Sequence, residues 1–137
     1  MLCAISSTAL RFPSGLAKAI HAAEKDEHQA RQGDDPMIWG EMAAVLARET
    51  AMFRTSGCVT LDIARVSAGL LDAAVIFRPQ AADFDLGVTL AMESGALTGD
   101  FSGNPAVGAA KQLVVANPKL FRELLKTLHP FRGRLPR

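Results

Sequence analysis

Ala73-Ala74-Val75-Ile76-Phe77 is an unbroken apolar run, closed on its far side by Arg78-Pro79-Gln80. A strand that is apolar at consecutive positions, rather than alternate ones, belongs in the middle of a sheet with both faces covered. A chain built around such a strand needs further elements on both sides of it. Short strand-like runs do alternate with helical stretches along the sequence, which predicts a layered α/β domain with a mixed sheet flanked by helices.

Leu2 to Ala9 reads as a first strand, ended by Phe12-Pro13-Ser14-Gly15. Ser14 is placed to cap a helix with Leu16, Ala19, Ile20 and Ala23 on one face. After Gly33, Asp35 and Pro36 read as the cap and first position of a second helix, with Ile38, Met42, Val45 and Leu46 inward and an end between Arg48 and Phe53. Gly57 precedes a nearly buried helix, Cys58 to Ala68, whose polar face is a solvated pair, Asp62 and Arg65. Gly69 stops it. Asp83 stands where a helix from Phe84 to Ser94 is capped, and Gly95 stops that helix. Strands follow at Ala96 to Phe101 and at Gln112 to Ala116. Asn117-Pro118 opens the most amphipathic helix, with Leu120, Phe121, Leu124, Leu125 and Leu128 inward. Residues 1–128 thus read as one α/β domain, and the basic, Pro- and Gly-containing stretch 129–137 as a loosely held tail.

The 137 residues carry 15 basic and 14 acidic side chains, a net charge of +1. That balance argues against a surface built for nucleic acid, which needs a basic excess. Two cysteines, Cys3 and Cys58, make no disulfide framework, so a reducing, cytoplasmic setting is expected. No apolar run is long enough to span a membrane. The apolar start, Met1 to Ile5, lacks the basic region of a signal peptide.

Chemistry concentrates between Arg54 and Asn117. The series runs Arg54, Gly57-Cys58, Leu61-Asp62, Ala64, Ala68-Gly69, Leu71-Asp72-Ala73. It continues through Ala82-Asp83, Gly87, Glu93, Gly95, Asp100, Gly103 and Val115-Ala116-Asn117-Pro118. In order and near spacing it resembles the C-terminal half of the inositol monophosphatase family. There the run reads R-x-x-G-S-A-A-L-D-L-A-x-V-A-A-G-x-L-D-A, then W-D-x-A-A-G, E-A-G-G, D and A-A-N-P. The resemblance covers about residues 51–128.

The resemblance implies Mg2+-dependent hydrolysis of a small sugar or polyol phosphate, with clustered carboxylates holding the ions. It assigns Asp83 as one metal ligand and Gly57, Cys58 and Val59 as a substrate-binding helix start. Both assignments make physical sense. A carboxylate at a helix N-terminus is stabilised by the helix dipole, and free N–H groups at a helix start suit an anionic ligand. Several residues depart from the family pattern. Ala82 replaces a tryptophan, Cys58-Val59 replaces a Ser/Thr-Ala pair, and Ile76 stands where inositol-specific members keep a glutamate. Isoleucine cannot accept a substrate hydroxyl, which argues against inositol phosphate itself.

The family's other metal ligands come from an N-terminal half with a glutamate pair and a D-P-I/L-D-G-S/T loop. Asp35-Pro36-Met37-Ile38-Trp39-Gly40 imitates that loop without its second aspartate and reads as a helix cap. One carboxylate makes no Mg2+ cage, so activity is expected to need the missing half, from a longer chain or from a partner. Other candidates have plainer readings. Asp85 complements a helix dipole, and Glu93 is a surface residue. His21, Glu24 and His28 share a helix face too widely spaced for a joint metal site. Cys58 reads as a buried structural thiol, and Trp39 as packing. Arg132, Arg134 and Arg137 form a solvated terminus that could touch RNA or acidic protein. Two functions stand side by side: part of a phosphomonoesterase, and a non-catalytic relative acting as an interaction or dimerisation module.

Overall fold

The computed structural model describes residues 2–3, 20–23, 37–54, 56–77, 79, 83–105 and 111–134, the side chains of 2–3, 20–23 and 83–84 excepted. The elements are β1 (Leu2–Cys3), β2 (Ile20–Ala23), α1 (Ile38–Glu49), β3 (Phe53–Arg54), α2 (Val59–Ser67) and β4 (Ala73–Phe77). A π-helical turn, Asp83–Val88, leads directly into α3 (Thr89–Glu93). β5 (Leu97–Gly99), β6 (Gln112–Ala116), α4 (Pro118–Leu128) and a 3-10 helix, His129–Arg134, complete the described chain.

The sheet is mixed, in the order β1-β2-β4-β6-β5, with β3 paired to β2. β4 lies parallel to β2 and antiparallel to β6, from Ala73 opposite Ala116 to Phe77 opposite Gln112. All five residues of β4 are buried, as its unbroken apolar run requires. Alternate residues feed two separate cores. Ala73, Val75 and Phe77, with Val114 and Ala116, pack against Ile38, Met42 and Leu46 of α1 and Leu120, Phe121, Leu124 and Leu128 of α4. Ala74 and Ile76, with Leu113 and Val115, pack against Ile63 and Val66 of α2, and against Val88 and Ala91. The result is a layered α/β domain with helices on both faces of the sheet.

Local signals explain most boundaries. Asn117 caps α4, its Oδ1 accepting the Leu120 N–H at 2.9 Å, with Pro118 next in the chain. Gly69 (φ +71°) and Gly95 (φ +84°) take the left-handed conformation that ends α2 and α3. Three readings need correction. Ile20 to Ala23 is a strand, not a helical face, so His21 is not on a helix; pairing with β4 outweighs the apolar spacing. The helix after Gly33 starts at Ile38 with Met37 at its cap position; Asp35 and Pro36 lie outside the described residues. Residues 129–134 do not trail away from the fold. They continue α4 as a 3-10 helix, bury Phe131 in the core beneath α1, and pair Arg134 with Glu41. The rest of the predicted first strand, Glu24, His28 and Arg137 also lie outside the description.

Candidate functional site

The connections around β4 bring two helix starts together. α2 ends at Ser67, and the chain turns through Gly69 to begin β4 at Ala73. α3 ends at Glu93, and the chain turns through Gly95 to Leu97, which pairs with Ala116, itself opposite Ala73. Both helices therefore finish at the same end of the sheet. They run side by side, and their starts lie together near the C-terminal end of β4. Gly87 fixes how closely they approach: a Cβ there would meet Ile63 Cδ1 at 2.7 Å. Val59 lies four residues before Ile63, and Asp83 four residues before Gly87. The Gly57–Val59 segment and the Asp83 backbone thus share one end of the layer.

At the first of these starts, Gly57 adopts φ +80° and Cys58 takes the extended backbone of a cap position. Cys58 is exposed with a free thiol, which corrects its reading as buried: a cap residue at a helix start faces away from the core. At the second, the helical run opens at Asp83 itself, in the wide π-helical turn, instead of one residue after an aspartate cap. The Asp83 side chain lies outside the described residues. Turns of this kind recur at functional sites, and no sequence signal announced this one.

Asp62 departs most from expectation. It is not solvated but fully buried, with 0% exposure. Its Oδ2 accepts a short hydrogen bond from the Ser56 hydroxyl, and its Oδ1 faces Arg65 NH1 at 3.3 Å. Burial pushes its carboxyl above the ordinary carboxylate value, against the hydrogen bond from Ser56 and the positive charges of Arg65 and Arg54. Ser56, just before the glycine of the motif, is the residue that the sequence reading missed. Glu93 and Asp85 are exposed. Trp39 packs edge-on against Phe77, with ring centroids 5.9 Å apart.

Ile76 is fully buried, inside the core beneath α2. It presents no hydrogen-bonding group at the site. A divalent ion, which the resemblance implies, needs several oxygen ligands. Among the described residues no group of three or more His, Cys, Asp or Glu could hold one. These residues alone do not fit the metal. Nor is any described helix long and apolar enough to cross a membrane.

No family profile matches the chain. Individual proteins do. Nus factor SuhB of Pseudomonas aeruginosa is 36% identical over 85 residues, 62% of this chain and 31% of that protein. Inositol-1-monophosphatase ImpA of Mycolicibacterium smegmatis is 30% identical over 86 residues, 63% of this chain and 31% of that protein. The solved inositol monophosphatase of Anabaena (Nostoc) sp. PCC 7120 superposes with a TM-score of 0.69, at 21% identity, over 81% of this chain and 42% of that one. Over 62–63% of its length the chain is thus similar to part of SuhB and inositol monophosphatase proteins. The α/β layering around β4 is the fold of the inositol monophosphatase family. The match spans about a third of the length of these curated relatives.

Proposed function

We propose that this chain forms one half of a metal-dependent phosphomonoesterase site for a small phosphate ester. The observation that carries the proposal is the shared position of the starts of α2 and of the Asp83 helix, beside the end of β4. Gly57, Cys58 and Val59 offer backbone N–H groups to an anionic substrate, and Asp83 offers one carboxylate to Mg2+. The other metal ligands come from an N-terminal lobe of the kind found in the family, joined to this chain or bound to it. The buried Ile76 supports a substrate other than inositol phosphate, because no carboxylate stands there to hold a ring hydroxyl.

The test is a Mg2+-dependent assay on several phosphate monoesters, with the chain alone and with the N-terminal lobe of a relative added. Turnover only in the mixture, abolished by Asp83→Ala, is expected. No turnover and no Mg2+ binding in either preparation overturns the proposal.

A second, non-catalytic reading is an association module, a dimerising relative of the enzymes. It is favoured by large apolar side chains on the outer sides of the two neighbouring helices: Leu61 (44% exposed), Leu86 (70%) and Leu90 (47%). Sedimentation of wild type and Leu86→Ser decides it. A dimer lost on substitution supports it, and a monomer at all concentrations removes it.

A further inference from the structure

We infer that Asp62, acting through Ser56, is the positioning residue for the Ser56–Val59 turn. The inference rests on the proposal that this turn faces substrate. Asp62 sits in the first turn of α2 and is sealed from solvent. It accepts the Ser56 hydroxyl proton, and Ser56 Oγ in turn accepts the Cys58 N–H at 3.3 Å. The Cys58 carbonyl then accepts the Asp62 N–H at 3.2 Å, so the circuit closes on the residue where it began.

Apolar packing holds one end of this turn, where Val59 lies against the core beneath α2. Gly57, at its centre, has no atom of the described residues, its chain neighbours aside, within 4 Å of where a Cβ would stand. Its left-handed backbone is one that only a few residue types adopt, and among the described residues nothing beyond its chain neighbours presses on it. What fixes the conformation is the polar circuit anchored on a buried carboxylate. That carboxylate is kept despite the cost of desolvation, with Arg65 on its own helix and Arg54 on β3 supplying opposite charge. A group retained against its own solvation, and bonded to the turn that carries the motif glycine, serves to orient that turn.

The experiment compares wild type with Asp62→Asn, Asp62→Ala and Ser56→Ala in the full chain. Backbone 15N order parameters report the turn, and titration with inorganic phosphate reports the Gly57, Cys58 and Val59 amides. Wild type and Asp62→Asn, which keeps an oxygen acceptor, are expected to hold order parameters of about 0.85 at Ser56, Gly57 and Cys58. Asp62→Ala and Ser56→Ala are expected to fall below about 0.6 there, with Ile63 and Val66 unchanged. Phosphate affinity at these amides should fall about tenfold in the two alanine variants and stay level in Asp62→Asn. Should Asp62→Ala fail to fold, Ser56→Ala still decides, since Ser56 is exposed.

A turn as ordered in the alanine variants as in wild type overturns the clamp. A loosened turn with unchanged phosphate affinity overturns the positioning role. Wild-type amides that do not respond to phosphate overturn the substrate-facing proposal beneath it, and the order parameters identify that failure separately.

Discussion

A carboxylate shut away from water loses hydration that neighbouring charges only partly restore. Asp62 is in that position, and the consequence for stability has a definite sign. Burial raises its pKa in the folded chain, so the folded state holds the proton more tightly than the unfolded one. In the window from the unfolded carboxylate value of about 3.9 up to the raised folded value, stability must fall as pH rises. Asp62→Asn removes that slope. Urea denaturation from pH 3 to pH 7 should show the variant gaining on wild type through this window and keeping its lead above it. A lead that shrinks with rising pH would mean that the ion pairs outweigh desolvation.

Among the elements, contact between α2 and the Asp83 helix depends on a missing side chain. Gly87→Ala forces a methyl group against Ile63, which is itself fully buried, so about 1–3 kcal/mol of destabilisation is expected in thermal or urea unfolding. At the start of α4, Asn117→Ala removes the acceptor for the Leu120 N–H and should cost about 1 kcal/mol. Elements with strong local signals were legible in the sequence. β4 and β6 follow from apolar runs, and α4 from Asn117-Pro118 and its inward leucines. β2 was not legible, because Ile20 and Ala23 suit a helix face equally well and only the partner strand decides. The π-helical turn has no sequence signature. Asp62 and Arg65, three residues apart on a helix, read as a surface pair; in the fold Asp62 is buried, and the turn before α2 brings Ser56 back to bond its carboxylate.

At the scale of the whole molecule, the sheet separates two cores, and the last described segment closes one of them. Phe131 reaches that core, while Arg134 meets Glu41 at 2.5 and 3.1 Å near the surface. The two contacts should differ in weight. Phe131→Ala is expected to cost about 3–5 kcal/mol, and Arg134→Ala no more than about 1 kcal/mol, because exposed ion pairs contribute little. Equal costs in urea unfolding would contradict this division. The candidate site was legible as separate motifs, Gly57-Cys58-Val59 and Asp83, and their order along the chain pointed to a family. Their meeting at one end of the layer was not legible. It depends on two helices returning to the same end of the sheet and on the bare Cα of Gly87.

That meeting is what paramagnetic relaxation measures most directly. Mn2+, added with inorganic phosphate as a stand-in for Mg2+ and substrate to the chain together with the N-terminal lobe of a relative, should broaden the amide signals of Gly57, Cys58, Val59 and Asp83 together, and Asp83→Asn should remove the effect. Broadening centred elsewhere, or unchanged in Asp83→Asn, would contradict a shared phosphate and metal site at these two helix starts.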